Sequence, residues 1–206
     1  MFRWITIAGL CGTAGLIVLH ALLFPCGHGD RLSIKGLIRR KVHLFTLLFL
    51  EQRLSALGRI RKLIYLLAVF TVFVLAVTGF WPLLSGGRIE GWLLMIHATF
   101  GGVFVFCIAF LTLTWSQRFV FGKDKRLLSC GLEDFILKAC FWAMVLLSLP
   151  TALSMVLSMF PLFGAEGQET LLWIHRWSTL GFLTAAMFET YLAVRRELLT
   201  DSGLTG

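Results

Sequence analysis

The stretch that decides the fold is Leu63–Leu83, LIYLLAVFTVFVLAVTGFWPL, an apolar run with no charged residue. At 1.5 Å rise per residue, a helix of this length spans about 30 Å, the hydrocarbon thickness of a bilayer. Thr78-Gly79-Phe80-Trp81-Pro82 closes the run with an aromatic residue suited to a membrane interface and a proline suited to a helix end.

Four further apolar runs flank it: Ile5–Phe24, Gly91–Trp115, Phe135–Leu162 and Leu171–Ala193. The chain is 58% hydrophobic and 15% charged, with a mean hydropathy of +0.85. A soluble domain of 206 residues cannot hide that much apolar surface, and a membrane barrel would show short alternating segments instead. The prediction is an all-α integral membrane protein: a four-helix transmembrane bundle plus one extra N-terminal transmembrane helix, five spans in all. The first run is too long for a signal-peptide core and no A-x-A site follows it, so it reads as an uncleaved helix. Pro150 sits near the middle of the fourth run and predicts a kink there.

Nineteen Lys and Arg face eleven Asp and Glu. In a membrane protein that excess marks cytoplasmic loops rather than a nucleic-acid partner. Nine basic residues lie between Gly27 and Lys62, and Arg118, Lys123, Lys125 and Arg126 lie between the third and fourth runs. The tail begins at Arg195-Arg196, whereas Ser85–Glu90 holds one base, Arg88, and Phe163–Thr170 holds none. This pattern predicts an outside N-terminus and a cytoplasmic C-terminus. Inside the basic loop, Val42–Leu50 is apolar but too short to cross. It reads as an interfacial helix on anionic lipid or as a dock for a partner. The expected divisions are 1–26 (N-terminal helix), 27–62 (basic loop), 63–196 (membrane domain) and 197–206 (tail). The five cysteines form no CxxC pair, so neither a zinc knuckle nor covalent c-type haem attachment is indicated; Cys26 is assigned no role, nor are His28 and His43.

Two histidines carry the functional reading. His97 lies six residues after Gly91 and His175 four after Leu171, and both runs leave the same face. Both imidazoles therefore lie roughly 6–9 Å below that surface. Ionisable groups in a bilayer are costly, so their default reading is functional. A haem b needs two axial imidazoles on facing helices, room for a flat macrocycle and cations for its propionates. Gly101 and Gly102, one turn beyond His97, remove bulk where a porphyrin edge would pass; Gly181, Ala185 and Ala186 do the same on the last span. Arg88 and Arg176 lie near the outer surface, where propionates would point. The alternative reading is a histidine that hydrogen-bonds a neighbouring helix, with glycines that serve close packing.

The TGF end of Leu63–Leu83, the HxxxG of His97 to Gly101 and the histidine opening the last span together resemble the prokaryotic membrane-bound cytochrome b family. That family includes formate dehydrogenase gamma subunits and the cytochrome b subunits of nickel–iron hydrogenases. The resemblance covers about Arg59 to Arg196 and implies haem-mediated electron transfer between a partner subunit and membrane quinone, in a bacterial inner membrane. It implies His97 and His175 as ligands of the outer of two haems. For the inner haem the chain departs from the family: no histidine occurs between His43 and His97, and Glu189 stands four turns past His175. One haem, not two, is therefore expected. Glu189 then forms a second polar site, either pairing with Arg61 or Lys62 or relaying protons to a quinone.

The leading expectation is thus a single-haem electron-transfer subunit with a redox partner, not itself catalytic. The alternative is a haem-free membrane anchor or assembly subunit that docks through its basic loop. A transporter is disfavoured, because most spans lack deep charges.

Overall fold

The computed structural model describes residues 2–24, 56–87, 89–116, 119, 132–160 and 162–201. Five helices account for nearly all of them: α1 (Phe2–Leu23), α2 (Ala56–Ser85), α3 (Gly91–Trp115), α4 (Leu132–Ser158) and α5 (Ala165–Asp201). No strand occurs among the described residues. The basic loop with Val42–Leu50, His28 and His43 lies outside them, as do Cys26, Arg88 and Cys130.

Four helices are long and apolar enough to cross a membrane: Phe2–Leu23, Leu57–Ser85, Gly91–Trp115 and Phe135–Ser158. Only 11–17% of the most apolar window of each is buried inside the chain. Large side chains such as Phe73, Leu113 and Leu146 face outward instead. An apolar exterior of this extent needs an apolar solvent, which is consistent with a multi-pass membrane protein. The fifth helix is longer and more polar, because Glu166, Glu169, Arg176, Glu189 and Arg195 interrupt its apolar residues.

Boundaries moved where polar residues continue a helix past its apolar part. α2 begins inside the basic segment, so Arg59, Arg61 and Lys62 ride on its first turns. α4 stops at Ser158, four residues before the expected end, and residues 159, 160 and 162–164 lie outside the helices. Pro82 does not end α2. It removes the amide that would bond Thr78 O, and the helix nevertheless runs three residues past it. The stop comes at Gly86, whose φ of 78° suits a residue without Cβ, and Gly87 N–H returns to Pro82 O at 2.9 Å. α4 likewise continues through Pro150 as helix.

The helices alternate in direction. A short turn makes α2 and α3 antiparallel neighbours, with Phe70 against Phe100 (5.8 Å between centroids) and Tyr65 against Trp115 (5.3 Å). α4 and α5 form a second, tighter hairpin, in which a Cβ on Gly181 would lie 3.1 Å from Leu147 Cδ1. Gly181 therefore serves close packing of that hairpin rather than room for a macrocycle. α1 runs along α5 in the same direction, from Phe2 on Trp177 (5.4 Å) to His20 on Tyr191 (5.7 Å). The two hairpins touch more sparingly, and the space between them holds everything described below.

Candidate functional site

His97 on α3 and His175 on α5 meet across the gap between the hairpins. Their ring centroids are 6.3 Å apart and their planes 75° apart. Two imidazoles bonded in trans to one metal at about 2.0 Å each hold their centroids roughly 6 Å apart. The 6.3 Å separation is compatible with a ligand pair around one ion and equally with an ordinary edge-to-face ring contact.

Hydrogen bonds decide which nitrogens face the gap. The Thr78 hydroxyl on α2 donates to Val74 O at 2.8 Å and contacts His97 Nδ1 at 2.8 Å. When Thr78 gives its one proton to the carbonyl it accepts from the ring, and in that tautomer His97 Nδ1 carries the hydrogen. His175 Nδ1 stands 3.1 Å from Thr151 O, which can only accept, and 3.4 Å from Ser154 Oγ. His175 therefore also carries its hydrogen on Nδ1. In both rings the Nε2 lone pair is left for another partner, the arrangement of metal-binding histidines whose far nitrogen is tied to an oxygen. Among the described residues, no protein hydrogen bond takes either Nε2.

A Cβ on Gly101 or Gly102 would meet no atom within 4 Å, so close helix packing within this chain does not account for either glycine. Gly79 does have a tight neighbour: a Cβ there would stand 3.2 Å from His97 Cε1. On α5 the residue one turn past His175 is Thr179, whose buried hydroxyl has no hydrogen-bond partner among the described residues. Seven residues past each histidine comes a phenylalanine. Phe104 and Phe182, both buried, meet edge to face at 5.1 Å and form a floor. At seven residues' rise that floor is about 10 Å from the histidine level.

The proposed cationic partners fare differently. Arg176 lies over the Phe2 ring at 5.8 Å, on the α1 flank of α5, and Arg88 lies outside the described residues. Trp92 and Trp173 are exposed at the same end, as interfacial residues should be.

Beyond the phenylalanine floor opens a cavity of about 660 Å³ bordered by all five helices. Its wall is mostly apolar; Glu189, Thr190, Tyr191 and Arg195 reach it from α5, Tyr65 from α2, and Thr112 and Trp115 from α3. Leu111 and Glu189 line it at the level fourteen residues past each histidine, so α3 and α5 keep one register through three layers. Glu189 makes no ion pair with Arg61 or Lys62 among the described residues. The cation on that wall is Arg195, which is buried, bonds both oxygens of Glu133 (3.1 and 3.3 Å) and donates to Phe24 O. His20 Nδ1 and the Tyr191 hydroxyl meet at 2.8 Å beside it. These bonds join α1 to α5, and the first helix borders the cavity through Ile17, Ala21 and Phe24.

Comparison with known proteins gives no match to a family model, a curated protein or a solved structure. The functional reading therefore stands on residues and geometry.

Sequence reasoning named both histidines but not their supports. Thr78 appeared only as part of a helix-end motif, and a threonine in a membrane helix ordinarily bonds its own backbone. Phe104 and Phe182 carried a usable signal, an aromatic residue at the same seven-residue interval from each histidine. His20 offered the other: an ionisable residue inside an apolar run.

Proposed function

We propose that this chain is a membrane electron-transfer subunit that holds one haem b between His97 and His175 and exchanges electrons between a redox partner and the quinone pool. The observation that carries the reading is the imidazole pair, 6.3 Å apart, with each Nδ1 tied to an oxygen on a neighbouring helix. Haem b supplies reversible one-electron chemistry whose potential follows its ligation, burial and nearby charge. The chain contributes two oriented nitrogens, a water-excluding phenylalanine floor and an open strip at Gly101 and Gly102.

In this reading α5 is a fifth span, supported by its pairing with α4 along most of its length and by the alternation of helix directions. The basic excess at the ends that hold Arg59 to Lys62 and Arg195-Arg196 puts those ends in the cytoplasm of a bacterial inner membrane, and the histidine pair near the outer face. A lipid-soluble quinone fits the inner cavity, whose size falls within the about 300–1,000 Å³ of small-molecule sites. Its head would meet Glu189, which is placed to take up or return the proton that accompanies each electron.

The test is a reduced-minus-oxidised absorbance spectrum of the purified chain. Wild type should show b-type bands, and His97→Ala and His175→Ala should each lose them. A wild-type protein without a Soret band, purified from haem-replete cells, would leave the chain a haem-free membrane anchor.

A further inference from the structure

Thr78 and Gly79 are consecutive residues of α2, a helix that supplies no ligand, yet both touch the ring of His97. We propose that they form a positioning pair: the Thr78 hydroxyl fixes which nitrogen of His97 carries hydrogen, and the missing side chain of Gly79 fixes where the ring sits.

The hydroxyl lies 2.8 Å from Val74 O and 3.4 Å from Leu75 O, so two backbone carbonyls compete with His97 Nδ1 for its one proton. A proton given to the backbone leaves its lone pairs for His97 Nδ1 at 2.8 Å, and the ring then carries hydrogen on that nitrogen. A ring rotated by half a turn would lose that acceptor. Gly79 meets the same ring at Cε1, the carbon between the two nitrogens. A methyl at 3.2 Å is tighter than ordinary contact and would press the ring off its place.

The other histidine is held differently. His175 bonds a main-chain carbonyl, Thr151 O, which no side-chain substitution removes. The two rings are thus fixed by unlike means: the nearest oxygen on His97 Nδ1 belongs to a side chain, and that on His175 Nδ1 to the main chain, with Ser154 Oγ farther off at 3.4 Å. An oxygen on the far nitrogen makes a ligating imidazole more basic, and its loss typically costs about 10–100-fold in metal affinity. A weaker donor favours the reduced iron, so the potential rises when the hydroxyl goes. That consequence for iron rests on the haem reading; the fixing of the ring does not.

The experiment uses the full chain, labelled with nitrogen-15 at histidine. In haem-free protein, wild type and Thr78→Ser should show His97 with hydrogen on Nδ1. Thr78→Val should show that nitrogen signal moved, with His175 unchanged. Thr78→Ala is a second removal of the hydroxyl should the valine variant not fold. In haem-loaded protein, Thr78→Val should bind haem about tenfold or more weakly, with the midpoint potential shifted upward, and Thr78→Ser should restore both. Gly79→Ala should shift the His97 ring signals while keeping its hydrogen on Nδ1. Failure of wild type to take up haem would overturn the haem reading alone, since the nitrogen shifts still report on Thr78. A His97 nitrogen signal identical in wild type and both hydroxyl-less variants would overturn the positioning role.

Discussion

The two ends of the helix bundle use the same pair of parallel helices to opposite effect. At the histidine end, polar groups face each other at fixed distances. Each ring is held by another helix, and all four bundle helices contribute: Thr78 and Gly79, His97, Thr151 and Ser154, and His175. At the far end, α3 and α5 keep the same register but present Leu111 and Glu189, and the space between the hairpins widens into a cavity. There the paired groups, His20 with Tyr191 and Arg195 with Glu133, hold helices together. The difference teaches that a preorganised site is recognised by partners on the far side of each functional group, and an adaptable one by their absence.

Substitutions at the two ends should therefore separate cleanly. The largest effect is expected for Gly101→Leu. A Cβ there meets nothing within 4 Å, so the protein's melting temperature in detergent should barely change while the b-type bands are lost. Bands retained at wild-type strength would mean the strip beside His97 is not where a macrocycle lies. Next comes Glu189→Gln, at the other end, which should leave the bands intact and slow reduction by added quinol about 100-fold, the scale of a lost general base. Equal rates in the two proteins would remove the carboxyl from proton transfer and leave the cavity without a chemical role. The smallest effect is Arg195→Leu. It strips Phe24 O and Glu133 of a donor, but Glu133 is 42% exposed and resolvates, so the cost should be about 1–2 kcal/mol in a denaturation series. Destabilisation with an unchanged spectrum would confirm that the far-end bonds are structural; a lost spectrum would couple the ends.

Much of this architecture was legible in the sequence, for reasons that differ by element. Gly91–Trp115 was placed to the residue, because a glycine and a tryptophan bracket an uninterrupted apolar run. His97 and His175 were matched in depth by counting from the same face, and the structure brings the rings together. α2 and α5 were cut short, because hydropathy registers only the apolar middle of a helix whose polar ends continue the same backbone. The supports of the histidines were not legible. Thr78 and Thr151 gain meaning only once another helix is laid beside them, and Thr151 acts through its carbonyl, which every residue possesses. Gly181 looked like Gly101, yet one fills a tight hairpin contact and the other borders open space. Identical residues, one turn of reasoning apart, took opposite roles because their neighbours differ.

The shared register of α3 and α5 has a consequence for how this chain could change through inheritance. A residue inserted between His97 and Phe104, or between His175 and Phe182, would turn everything beyond it by about 100°. Ring, floor and cavity wall would then fall out of step at once. Insertions in the connecting segments carry no such penalty, since they leave the count inside each helix untouched. Descendants of this chain should therefore vary freely in loop length while the interval of seven from histidine to phenylalanine stays constant on both helices.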